Sequence, residues 1–441
     1  MSRETNTLVA ILCTVLLGLV SVYFRSRNRR TTGSLSLGGV PFVVLHDVAS
    51  SKSPTKSLNR IVRSVMEEYQ QESSQALAGL SRMLEEALTA EATIATTNKR
   101  KLLSTKLEQR IQKTATCLEH NEKVFAALLG NFSYTLALPE NATQRVSPID
   151  DNIPHNEQSN ATNHQFRTHT SHKPSICNAS ETHSYDSATQ LWAHLVRDWT
   201  VEGRSIRHSL YDWCCHQMKR YATTAATVLV PGSGMGRLAF DLYQQGYHVE
   251  ANELSVSMAV AASSLLQTKL SGSFYPYVLD AMANEVESKR RFGSVAFPDV
   301  PIQTEAATQG SLSYTVGDFV GNDDDYYRQE RMGDFDAIVT CFFIDTATNI
   351  YEYLTIIHQL IKPRGVWVNV GPVQWHHNAL LRPSVNELKD LIEAFGWSIQ
   401  SWNIDETPIS YRNDNDANEY RLPPMTNYEG YRPLRFVAIR K

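Results

Sequence analysis

The segment that most limits what this chain can fold into is VLVPGSGMGRLAFDLYQQGYHVEANE, residues 228–253. A β-branched apolar run, Val228-Leu229-Val230, breaks at Pro231 into glycines at 232, 234 and 236. A helix-patterned stretch follows, then a second strand-like piece at 247–251 that closes on Asn252-Glu253. The order is strand, tight glycine turn, helix, strand, acid. Glycine is required where the backbone reverses sharply and a ligand approaches closer than a Cβ would allow. An acid about 20 residues beyond such a turn can accept two hydrogen bonds from a ribose hydroxyl pair.

The spacing of the glycines selects among nucleotide ligands. A dinucleotide fingerprint, G-x-G-x-x-G, would place its third glycine at 237, where Arg237 stands, and this disfavours a nicotinamide dehydrogenase. The pattern Gly232-x-Gly234-x-Gly236 is the form found in S-adenosylmethionine methyltransferases, whose turn passes the methionine part of the ligand.

With 441 residues, 42% hydrophobic and 20% charged, the chain has the composition of a globular protein. A net charge of -4, with no basic cluster interleaved with aromatics, gives no electrostatic case for nucleic acid. Residues 7–24 are apolar and uncharged, and at about 1.5 Å per residue they reach roughly 27 Å. Arg25, Arg27, Arg29 and Arg30 follow at once. This order fits an uncleaved N-terminal membrane anchor with the body on the cytosolic side better than a signal peptide. Asn131, Asn141, Asn160 and Asn178 open N-x-S/T sequons, which pull toward a lumenal body, although three of them lie in a polar stretch where such triplets arise by chance. The six cysteines show no metal or disulfide spacing.

Five regions follow: an anchor with its basic flank at 1–30, a linker at 31–56, a helical region at 57–133, a polar linker or loop at 134–182, and a catalytic domain at 183–441. The helical region, with Ile61, Val65, Tyr69, Leu77, Leu80 and Leu84 in sequence, predicts a hairpin that packs on a core and carries no chemistry. Beyond Glu253 the sequence predicts a helix at 255–270, an irregular insertion at 271–312, strands near 313–319, 335–343 and 365–371, a helix at 350–361, and two closing strands at 397–405 and 434–440. The expected fold is α/β: a Rossmann-like seven-stranded sheet, mostly parallel, with an antiparallel last strand.

In such a sheet ligands lie beyond the C-terminal strand ends. Asp318-Phe319 follows the third strand, where the acid either accepts an adenine amino group or caps the turn after Gly317. Cys341-Phe342-Phe343-Ile344-Asp345 ends the fourth, and Asp345 either contacts the methyl acceptor or caps the helix beginning near Thr346. Gly371-Pro372 stops the fifth and delivers His376 and His377 toward the cleft. His194 and Arg197, on the helix before the sheet, can reach the carboxylate of the cofactor.

The segments LVRDWTVEGRSIR, VLVPGSGMGRLAFDL, ANELS, FPDVP, VGDF, DAIVTCFFIDTATNIYEYL and KPRGVWVNVGPVQWHHN resemble the carnosine N-methyltransferase family over roughly residues 57–441. The resemblance implies transfer of a methyl group from S-adenosyl-L-methionine to an imidazole nitrogen of carnosine, giving anserine. It implies cofactor contacts at His194, Arg197, Gly232, Glu253, Asp318, Phe319 and Cys341, although His194 stands where the family usually has Gln. It implies acceptor contacts at Asp345 and His376 and at C-terminal tyrosines, here Tyr428 and Tyr431, in a stretch (NYEGYRPLRF) that departs from the family's pattern. Two rivals remain at this stage: a methyltransferase acting on histidine within proteins, and a non-catalytic cofactor-binding scaffold. The expected partners are a small imidazole dipeptide and a membrane, and a homodimer is left open.

Overall fold

The computed structural model describes residues 43–45, 54–93, 97–130, 134–136, 187–279, 290–302, 310–320, 331–409 and 430–441. No helix among them is long and apolar enough to cross a membrane. The apolar run at 7–24, the arginines after it, the four sequon asparagines and Tyr428 lie outside the described residues.

Parallel strands alternate with helices from 227 onward. They are β3 (Thr227–Pro231), β4 (His248–Glu253), β7 (Ser311–Val316), β8 (Phe335–Cys341) and β9 (Ile361–Gly371). The closing strands are β10 (Trp397–Ile404) and β11 (Leu434–Arg440). Their order across the sheet is β7-β4-β3-β8-β9-β11-β10. β11 runs antiparallel to both neighbours, as the closing pair in the sequence suggested. The chain steps outward from β3 through β4 to β7, then returns to the other side of β3 for β8 and β9. That reversal makes a crevice at the carboxyl ends of the central strands.

Two short strands, β1 (Val43–Leu45) and β2 (Tyr134–Leu136), extend the sheet beyond β7 to nine. Both come from stretches that read as linkers, because three residues carry no usable periodicity. The described residues of the insertion read at 271–312 contain regular structure that its sequence did not suggest. Within it β5 (Gly272–Phe274) and β6 (Val295–Phe297) form an antiparallel pair.

Helices cover the sheet. The predicted hairpin is α1 (Pro54–Thr93) and α2 (Thr97–Gly130). The helix read before the sheet splits at 200–203 into α3 (Ala188–Trp199) and α4 (Arg204–Tyr221). Then come α5 (Arg237–Gln244), α6 (Val256–Thr268), α7 (Ile350–Leu360) and α8 (Val385–Ala394). Serine caps three of these: Ser187 accepts from the Gln190 amide, Ser255 from Met258 and Ser384 from Glu387, each satisfying an amide that the first turn leaves open. The hairpin joins the sheet domain through an aromatic column. Tyr69 stacks on Phe125 at 5.2 Å, Phe125 meets Trp192 edge-on at 4.9 Å, and Trp192 stacks on Phe274 at 4.8 Å. Asn121 adds a two-way clasp on the backbone of Tyr275, donating at 2.9 Å and accepting at 2.8 Å.

The strand registers align the functional tips. Asn252 pairs with Pro231, Val316 with Glu253, and Val370 with Cys341. Because β11 is antiparallel and pairs Leu434 with Gly371, its first residues reach the same edge, which brings Tyr431 there.

Candidate functional site

The glycine turn after β3 forms the floor of the crevice. Gly232, Gly234 and Gly236 all have positive φ, at 61°, 56° and 77°. Space constrains Gly236 most, since a Cβ there would lie 1.1 Å from the Tyr314 hydroxyl. At Gly234 a Cβ would stand 2.9 Å from His194 Nδ1 and 3.0 Å from Arg197 Nη2. The turn therefore presents bare backbone to the two side chains that the leading helix sends toward it.

Glu253 holds the turn. Its carboxylate accepts the Gly234 amide at 2.7 Å and the Ser255 amide at 2.9 Å. It is 9% exposed. His194 has a fully buried Nδ1 with no hydrogen-bond partner. Burial, then the nearby Arg197 charge, pushes its pKa down to about 3, so the imidazole is neutral. Arg197 is 6% exposed and meets Asp198 through Nε at 2.7 Å and Nη2 at 3.1 Å. The Tyr211 hydroxyl donates to the same carboxylate at 2.7 Å. Burial pulls Asp198 upward, but Arg197 and these donors outweigh it and keep the carboxyl below its usual range. Cys341 lies within electrostatic reach of Arg197 and Asp198, and burial pushes its thiol up to about 12.

Phe319, after β7, is 3% exposed and meets Phe343 edge-on at 5.2 Å. The Phe343 ring in turn lies 2.5 Å from the place of a Cβ on Gly232. Asp318 is exposed at the rim, and its Oδ1 accepts the Val320 amide at 3.0 Å. The turn-capping role therefore exists, and it occupies one carboxylate oxygen.

A second pocket of about 470 Å³ opens beside this one, lined by Phe342, Asp345, Gln374, Trp375, His376 and Tyr431 among others. Phe342 faces it and Phe343 faces the glycine turn, so two consecutive residues form the partition. Phe342 has φ 53°, rare for a bulky residue and a form of backbone strain that tends to gather at ligand sites. Asp345 is 5% exposed, and its Oδ2 accepts the Gln374 amide at 3.1 Å. Burial pushes its pKa up to about 6, against a smaller downward pull from that amide. Its backbone carbonyl accepts the His376 amide at 3.1 Å, which fixes the loop after β9 to the tip of β8. The helix-cap role weighed for Asp345 belongs instead to Asn349, whose side chain accepts the Tyr351 amide. His376 is half-buried, and burial, then His377, lowers its pKa, which favours its neutral form. Tyr431 meets Phe342 edge-on at 6.2 Å and is anchored by backbone bonds to Ile409 of 2.7 and 2.8 Å.

Twelve of the thirteen residues singled out from the sequence thus fall in two adjoining groups, and Tyr428 lies outside the described residues. Sequence reasoning passed over Asp198, Tyr211 and Tyr314. An acid directly after an arginine on an otherwise apolar helix face was the one available sign for Asp198. The two tyrosines gave none, since Tyr211 meets Asp198 from the neighbouring helix and Tyr314 meets the Gly236 turn from another strand, contacts that only the fold makes.

A profile of the family described as carnosine N-methyltransferase matches residues 174–422. The carnosine N-methyltransferase of Schizosaccharomyces pombe is 33% identical over 192 residues, covering 41% of this chain and 50% of that one. The Mus musculus protein of the same name is 28% identical over 236 residues, covering 50% and 57%. In Drosophila melanogaster, carnosine N-methyltransferase unmet is 28% identical over 221 residues, covering 47% and 46%. The chain thus spans about half the length of the curated relatives it matches.

Proposed function

Because the chain belongs to the carnosine N-methyltransferase family, we propose that it methylates an imidazole nitrogen of carnosine or a related histidine-containing dipeptide, using S-adenosylmethionine. The residues at the glycine turn fit that cofactor. The positive-φ turn lets Phe343 approach Gly232, and His194 and Arg197 approach Gly234, closer than a Cβ would allow, and Glu253, Arg197 and the unpartnered Nδ1 of His194 converge on it. Glu253 would take the ribose hydroxyls, Arg197 and His194 the amino-acid end, and Phe319 would pack against the adenine. When bound, the cofactor supplies an electrophilic methyl group on a sulfonium.

Asp345 is the observation that carries this proposal. A neutral imidazole offers one lone-pair nitrogen and one N–H. The buried Asp345 carboxylate, held by the Gln374 amide, accepts that N–H, selects the tautomer whose other nitrogen is the nucleophile, and stabilises the positive charge that grows on the ring. Phe342, Trp375 and Tyr431 enclose the ring, and His376 adds a polar contact for the dipeptide. Positioning and a fixed countercharge supply the rate, and no strong base is needed because the acceptor nitrogen already carries a lone pair.

The test is a transfer assay with methyl-labelled cofactor and a panel of carnosine, free histidine, imidazole and a histidine-containing peptide. Label on a dipeptide imidazole is the expected result. A protein that binds S-adenosylhomocysteine yet labels none of the panel overturns the acceptor assignment.

A further inference from the structure

Helix α3 carries both His194 and Arg197, and it ends directly behind the glycine turn. The last carbonyls of any helix lack partners within it and must find them elsewhere. Here four consecutive carbonyls are taken up by three residues outside the helix. Arg207 donates to the carbonyls of Arg197 and Thr200, the latter at 2.8 Å. Arg237 donates to that of Asp198 at 3.0 Å, and the Asp299 amide to that of Trp199 at 2.9 Å. The indole N–H of Trp199 adds a bond to the Met235 carbonyl, inside the turn, at 2.8 Å.

Arg207 and Arg237 are 4% and 8% exposed, and buried charge persists only when it is paired. The acid they share is Asp299. Its Oδ1 meets Arg237 at 2.6 Å, its Oδ2 meets Arg207, and its side chain is 2% exposed. Arg237 is the first residue of α5, immediately after Gly236, and also pairs with Asp241 at 2.8 Å. One carboxylate from the loop after β6 therefore ties the end of α3 to the start of α5. The gap between these two ends sets how far Arg197 stands from Gly234.

We infer that Asp299 is a positioning residue for the cofactor site: through Arg207 and Arg237 it fixes the α3 terminus, and so places Arg197 for the carboxylate end of the ligand. This rests on the cofactor proposal above. Asp299→Asn leaves two buried guanidiniums without their shared countercharge and lets that terminus shift. A merely structural role would weaken every ligand of the crevice alike. A positioning role acts on the amino-acid end alone, and two probes separate the cases: S-adenosylhomocysteine, which has that end, and 5′-methylthioadenosine, which lacks it.

By titration calorimetry, Asp299→Asn is expected to weaken S-adenosylhomocysteine roughly ten- to a hundredfold while 5′-methylthioadenosine stays within about threefold, the scale of a misplaced polar contact. Equal losses for both probes, or an unchanged S-adenosylhomocysteine affinity, overturn the inference while leaving the cofactor proposal standing. A wild-type protein that binds neither probe removes the cofactor proposal itself. If Asp299→Asn does not fold, Arg237→Lys takes its place, because a lysine keeps the charge but cannot span Asp299, Asp241 and the Asp198 carbonyl together. The same pair of affinities then decides.

Discussion

Replacing Asp345 by Asn separates what the proposed acceptor pocket needs for stability from what it needs for chemistry. The carboxyl is 5% exposed, and burial raises its pKa from the usual 3.8 to about 6. A carboxyl with a raised folded-state pKa contributes stability that is full below the unfolded value and lost as pH rises through the folded one. Above about pH 6 the folded protein therefore carries a buried charge at a cost of about 3 kcal/mol, at about 1.4 kcal/mol per tenfold. Asn never ionises and escapes this cost, while its carbonyl can still accept the Gln374 amide. Its amino group needs an acceptor, a penalty of about 1–3 kcal/mol if unmet, but that penalty does not vary with pH. The pH dependence is thus the clean readout. Urea titrations of both proteins are expected to show the stability difference shifting in favour of the variant by about 1.4 kcal/mol between pH 5 and pH 8. In the same samples turnover falls by about 10²–10³, because the stabiliser of the imidazolium is gone, and S-adenosylhomocysteine still binds. A flat difference across that pH range refutes the burial cost, and near-normal turnover refutes the role in catalysis.

Further outcomes follow from the same geometry. In the wild type, turnover is expected to fall as pH drops through about 6, as protonation removes the Asp345 acceptor; a kcat profile level down to pH 5 contradicts this. Gly236→Ala places a methyl 1.1 Å from the Tyr314 hydroxyl at φ 77°, so a loss of more than about 2 kcal/mol in urea unfolding and of cofactor binding is expected. Glu253→Gln turns one of two acceptors for the Gly234 and Ser255 amides into a donor, and calorimetry is expected to show S-adenosylhomocysteine weakened about tenfold or more. Cys341, part-exposed but with its thiol pushed up to about 12, is expected to react slowly with iodoacetamide at pH 8 in the folded protein, and rapid alkylation seen by mass spectrometry would contradict the raised pKa.

Much of the candidate site was visible in the chain because its signals are local. The run Val228-Leu229-Val230, the three glycines and Glu253 lie within 26 consecutive residues, and each constrains its neighbours through backbone geometry alone. The strand end at Gly371 was legible for the same reason, a β-branched run that stops at Gly-Pro, whereas the third and fourth strands were read to 319 and 343 and end at Val316 and Cys341. The insertion was harder to read. Its strands β5 and β6 have three residues each, too few for a period, and their pairing is decided across a sequence gap.

What the sequence by itself determined is the inventory: a glycine turn, an acid at ribose distance, a buried-strand pattern, and an acid and two histidines just past strand ends. Only the tertiary structure decided their use. It assigned the helix cap to Asn349 and left Asp345 in the pocket, turned Phe342 and Phe343 to opposite sides of one partition, and brought Tyr431 to the tips because β11 runs against its neighbours. It also gathered Arg207, Arg237 and Asp299 behind the turn. The physical reason is that capping and turn chemistry act over a few residues, whereas charge pairing and desolvation depend on distances in space, which only the folded sheet fixes.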